Sequence, residues 1–117
     1  MAGYELIRHQ GKEILIVDYT DMSKEDILKT MEEATAYALD LNRPLLRLSN
    51  MTGVFAVKEV LEKAKESGKV TSHLTIKRAA VGITGAKKVL FNAYNRFTGN
   101  HSRAFDSVEE AKDWLVS

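Results

Sequence analysis

The sequence predicts an α/β fold: one domain, residues 1–117, in which a five-stranded, mostly parallel sheet with an N-terminal β-hairpin is flanked by four helices. Three observations carry the prediction. Apolar runs of strand length alternate with longer stretches whose apolar residues recur every three or four positions, the pattern of strands joined by helices. The first two strand-like runs are separated by only a short Gln-Gly-Lys turn, too short for a crossover, so they pair antiparallel. The single proline falls between elements, where it stops a helix without interrupting a strand. A chain of 117 residues also suits one core of ordinary domain size.

Taken in order, YELIRH alternates apolar and polar residues like a half-buried strand, and EILIVDY after Gln10-Gly11-Lys12 is its more apolar partner. Ser23 is placed to cap the first helix, with Asp26 in the capping-box position. Ile27, Met31, Ala34, Ala38 and Leu41 give that helix one buried stripe, and Asn42-Arg43-Pro44 ends it. LLRLS is a short buried strand, followed by the loop NMTGVF. Val57, Val60, Leu61 and Ala64 turn one face of a second helix to the sheet; it ends at Ser67-Gly68 or runs on toward His73. In RAAVGIT, Ala79, Val81 and Ile83 share one face of a strand, and Ala80, Gly82 and Thr84 share the other, small enough for a helix to approach closely. A third helix from about Ala86 is expected to bury Val89, Leu90, Ala93, Tyr94 and Phe97 and to end at Thr98-Gly99. SRAF is the last strand, and Ser107 with Glu110 caps a final helix that inserts Ala111, Trp114 and Leu115. The element order is therefore β-β-α-β-α-β-α-β-α.

Composition narrows the function classes. The absence of cysteine excludes disulfides and thiolate chemistry. His9, His73 and His101 are scattered, and none forms the i, i+4 pair of a zinc helix, so no metal is expected, and no cofactor motif occurs. No serine stands in a Gly-x-Ser-x-Gly elbow, and nucleophile, base and oxyanion donor are not assembled, so a non-enzymatic protein is expected. Asp18, Asp21 and Asp26 lie close enough in sequence for acid–base work, but capping and solvation explain them. No apolar run reaches membrane-span or signal-peptide length, which leads to the expectation of a cytoplasmic protein.

The net charge of +1 conceals an asymmetry. Residues 67–105 contain Lys69, Lys77, Arg78, Lys87, Lys88, Arg96 and Arg103 and no acid, which leaves ten basic and sixteen acidic residues elsewhere. Gathered into one patch, these would attract an anionic partner; scattered over several faces, they would not. Nucleic acid is disfavoured as that partner, because the paired strand aromatics of single-strand binders are missing.

GITGAKK, residues 82–88, is the candidate site. A helix N-terminus offers free N–H groups and a positive dipole end to a phosphate or carboxylate. Gly85 permits close approach, Thr84 adds a hydroxyl, and Lys87 and Lys88 add charge. In open α/β sheets the neighbouring strand-end loops share such a crevice, so the candidate ligand residues are Ser49, Asn50, Thr52, Thr84, Gly85, Lys87, Lys88 and Asn92. Lys87, Lys88, Asn95 and Arg96 on the same helix are the candidate residues for a protein partner. The structural alternative is that Gly82 packs and Gly85 turns the chain, and GITGAKKV lacks the phosphate-loop spacing.

LLRLSNMTG (45–53), RAAVGITGAKK (78–88), FNAYNRFTG (91–99) and FDSVEEAKDWL (105–115) resemble the STAS-like superfamily of anti-sigma-factor antagonists. More narrowly, they resemble the small stand-alone bacterial proteins related to both STAS and CRAL-TRIO domains. The resemblance spans nearly the whole chain and implies a regulatory or protein-interaction module, with carriage or sensing of a small anionic ligand (nucleotide, phosphate or lipid) as the alternative. Antagonist domains of this superfamily switch through a phosphorylated serine at the start of the helix after the third strand. Here that stretch reads Phe55-Ala56-Val57-Lys58, without a hydroxyl, so the implied module lacks the usual phospho-switch. The first hairpin strand is an edge on which a homodimer could form, although Glu5 and Arg8 discourage open-ended pairing.

Overall fold

A computed structural model describes residues 3–55, 57–99 and 101–117; Ala56, in the stretch aligned with the phospho-switch, lies outside them. The strands are β1 (Tyr4–His9), β2 (Lys12–Asp18), β3 (Leu45–Asn50), β4 (Thr75–Val81) and β5 (Arg103–Phe105), and they lie in the sheet in chain order. β1 and β2 pair antiparallel, and every later pair is parallel. The helices are α1 (Lys24–Leu41), α2 (Lys58–Val70), α3 (Lys87–Thr98) and α4 (Val108–Val116), with a single 3-10 turn at Ser72–Leu74. Fold class and element order are those the sequence predicts.

Alternation along the strands divides the core in two. Leu15 and Val17 of β2 and Leu45 of β3 meet Ile27, Met31, Ala34 and Ala38 of α1 and Val60 of α2. On the opposite face, Ile14, Leu46, Leu48, Ala79 and Val81 meet Ala111 and Leu115 of α4. α3 packs beside α2, so three helices cover one face and α4 alone covers the other.

Serine caps hold the helices the sequence marks most clearly. Ser23 accepts from Asp26 N and Ser107 from Glu110 N, each satisfying a first-turn N–H that would otherwise lack an acceptor. α2 and α3 have Val57 and Ala86 at their N-cap positions, and neither residue supplies a side-chain cap.

Several expectations are corrected. Of the two ends allowed for α2, the structure takes the later one: the helix passes Ser67-Gly68 and continues to Val70. Gly68 is there because the Tyr94 ring crosses it closely: a Cβ would come within 2.5 Å of the phenolic oxygen. β4 stops at Val81 rather than running to Thr84, because Gly82 takes a φ of 83°. A Cβ at Gly82 would lie 2.5 Å from Thr52 N, so that glycine lets two strand-end loops touch. The break also reverses Ile83, which faces α2 and α3 instead of sharing the α4 face with Val81. Val89 and Phe97, expected in the core, are 70 % and 52 % exposed, since Leu90, Phe91 and Tyr94 form the inner stripe of α3.

The basic segment is scattered. Lys77 Nζ bonds Trp114 O and Ser117 O on the α4 side, and Arg103 lies over Phe105 and Trp114 there. Arg78 turns to the opposite face, while Lys69 lies over Phe97 on the α2–α3 side.

Candidate functional site

β3 begins LLRLS, and pleating sends Leu46 and Leu48 toward α4 and Arg47 and Ser49 the other way. Arg47 is thereby carried into the centre of the sheet and left 6 % exposed. On the neighbouring strand its register partner is Arg78. Like charges directly opposite one another on one sheet face repel, and desolvating each costs several kcal/mol when no anion compensates.

The two guanidinium groups line a cavity of about 130 Å³ between the sheet and helices α2 and α3. Val60, Leu61 and Ala64 of α2 and Leu90 and Phe91 of α3 form its apolar wall. Tyr19, Thr35, Ser49, Ser67, Lys87 and Ser102 add polar side chains to the lining, and Phe55, 85 % exposed, stands at the rim. Among the described residues no acid lines the cavity, and neither arginine forms an ion pair.

The arginines differ in how far the protein itself satisfies them. Arg78 Nη2 donates to Thr71 Oγ1 at 3.4 Å and Thr75 Oγ1 at 3.2 Å, and the group lies 5.9 Å from the Tyr94 ring centroid. Its Nε has no acceptor among the described residues, and neither do Arg47 Nη1 and Ser102 Oγ, all three buried. Ser102 is held in place by Asn95, whose Oδ1 accepts from Ser102 N and whose Nδ2 donates to Ser102 O, each at 3.1 Å. Burial, reinforced by the charge of Arg78, lowers the Arg47 pKa to about 10, so the group is still cationic at neutral pH. Burial pushes the Tyr19 phenol up, against the pull of both arginines, and keeps it a neutral O–H donor.

Of the residues singled out in the sequence, Ser49 and Lys87 line this cavity, and Lys87 Nζ donates to Met51 O at 3.0 Å. Asn50 and Thr52 serve the strand-end loops: Asn50 Oδ1 accepts from Thr52 N and Oγ1, while Asn50 O accepts from Tyr19 N. At GITGAKK the N–H groups of Lys87, Lys88 and Val89 donate to Thr84 O, Gly85 O and Ala86 O, so local carbonyls occupy the first turn. Thr84, Gly85, Lys88, Asn92 and Arg96 are exposed, and Asn95 is turned to Ser102. Sequence reasoning missed Arg47, Arg78, Tyr19 and Ser102 as a group; the available signal was an arginine inside the apolar run LLRLS.

Among the described residues no His, Asp and Glu cluster is placed to hold a metal ion, and no helix is long and apolar enough to cross a membrane. Comparison of the chain with known protein families, with curated proteins and with solved structures finds no match.

Proposed function

We propose that the protein is a non-enzymatic carrier or sensor of a small anionic ligand with an apolar body, bound in the cavity between the sheet and helices α2 and α3. The observation that carries this reading is Arg47: a buried guanidinium facing Arg78, with an unpartnered Nη1 and no acid beside it. An uncompensated buried charge is strongly unfavourable for folding alone, and an incoming anion would supply the missing partner. The apolar wall suits a molecule whose other end is hydrocarbon. Binding rather than catalysis fits the polar end, because neither the guanidinium of Arg47 nor the phenol of Tyr19 is set to exchange a proton near neutrality.

A STAS-like module of the stand-alone kind is part of this proposal, supported by the element order and the mixed sheet. A regulatory output fits α3, which lines the cavity with Leu90 and Phe91 and exposes Val89 beside Lys88 on its other side. Thermal-shift assays with hexanoate, hexanesulfonate, hexyl phosphate and neutral hexanol test the reading. At about a hundred times its dissociation constant, a bound anion adds ~2.7 kcal/mol to stability. Stabilisation by at least one anion, lost in Arg47→Met, is expected; equal responses to the anions and to hexanol would refute an arginine-based site.

A further inference from the structure

We infer that the ligand of the Arg47–Arg78 cavity is a small monocarboxylic acid with an apolar body of about six carbons, bound as its carboxylate. The inference rests on the anion-binding reading above and narrows it to one head group and one size.

The head group follows from the donors left over. Arg78 Nη2 is committed to Thr71 and Thr75, whereas Arg78 Nε and Arg47 Nη1 have no acceptor and lie on side chains in direct cross-strand register. Ser102 Oγ, fixed by the Asn95 clamp, is a third unmet polar atom at the same end. Two buried guanidinium N–H donors and a hydroxyl, none of them with an acceptor, are in number and kind what the two oxygens of a planar carboxylate would satisfy. A phosphoryl group carries three strong acceptor oxygens and up to two charges, and sites for it gather main-chain N–H groups at a helix start. The nearest such start, that of α3, has its first-turn N–H groups on Thr84 O, Gly85 O and Ala86 O. Of the other polar groups in the lining, Lys87 Nζ is committed to Met51 O, and the Thr35 and Ser67 hydroxyls bond each other, while Val60, Leu61, Ala64 and Leu90 offer no side-chain hydrogen bond.

The size follows from the volume. The cavity measures about 130 Å³, and an apolar cavity of roughly 150 Å³ in another protein holds benzene. An aryl ring or a six-carbon chain with its carboxylate is therefore at the upper limit of the cavity and reaches its open mouth, and a much longer tail must pass the exposed Phe55 into water.

Isothermal titration of the full chain with hexanoate, benzoate, acetate, dodecanoate, hexyl phosphate and hexanol decides the matter. Hexanoate or benzoate is expected to bind one per chain, at least about tenfold more tightly than acetate, hexyl phosphate or hexanol, and no more weakly than dodecanoate. Arg47→Met, and independently Arg78→Met, should weaken hexanoate roughly ten- to hundredfold and leave hexanol unchanged. Hexyl phosphate binding more tightly than every carboxylate would overturn the head-group assignment while leaving the anion-binding reading in place. Dodecanoate binding far more tightly than hexanoate would overturn the size assignment in the same way. No anion binding at all would remove both. The head-group and chain-length series use the unaltered chain, so they decide the inference even if a variant fails to fold.

Discussion

On the α4 side of the sheet, Leu48 and Leu115 belong to a layer of aliphatic side chains with almost no exposure, under a helix capped by Ser107. On the α2–α3 side, the same central strands turn Arg47 and Arg78 into a cavity beneath two helices that start without a side-chain cap. The first region obeys every local rule for a stable α/β layer. The second breaks three of them at one place: a buried charge, a like-charged neighbour and unsatisfied polar atoms. Departures of this kind concentrate where a protein holds something, because stability alone gives no reason to keep them.

If that division is real, truncations on the two sides should differ in cost. Leu48→Ala or Leu115→Ala should lose about 2–5 kcal/mol in urea unfolding, since each leaves a void in a closed layer. Leu90→Ala, at the partly buried cavity wall, should lose roughly 1 kcal/mol. Equal losses would erase the contrast.

The loop junction above the cavity gives the next largest effect. Gly82→Ala should cost roughly 2 kcal/mol or more, because φ is 83° and the new methyl meets Thr52 backbone. Gly85→Ala, also at positive φ but with open space around its Cβ position, should cost only about 1 kcal/mol. Chemical denaturation of the two variants separates a junction that shapes the site from an ordinary turn.

Much of the first region is legible in the sequence, and little of the second. Ser23 and Ser107 announce their helices by the capping pattern alone, and each Ser→Ala change should cost about 1 kcal/mol of stability. Leu46 and Leu48 likewise reveal their common face through period two. The pairing of Arg47 with Arg78 is different in kind. It depends on the register between two strands joined through a whole helix, which no local pattern specifies. Ile83 departs from its expected face for a related reason, since the left-handed Gly82 before it resets the alternation along the strand. Val89 and Phe97 share helical spacing with the true inner stripe, so α3 read from sequence has too wide an apolar face.

The smallest effect is the pH response. Burial lowers the Arg47 pKa to about 10, below the ordinary guanidinium range, so above about pH 10 the folded chain binds fewer protons than the unfolded chain. This group's contribution to stability therefore rises as pH climbs from about 10 toward the ordinary guanidinium range, and at neutral pH it is unfavourable. Anion affinity should run the other way, steady between about pH 6 and pH 9 and falling above about 10 as Arg47 loses its proton. Titrations across that range check the sign, and Arg47→Met should abolish the decline.

The most direct measurement needs no ligand: urea unfolding at pH 7 of the wild-type chain and Arg47→Met. If Arg47 is kept for an incoming anion, replacing it with an apolar side chain of similar length should raise stability by about 1–4 kcal/mol. A variant less stable than wild type by a comparable amount would show that the guanidinium holds the fold together, and the cavity would lose its claim to be a binding site.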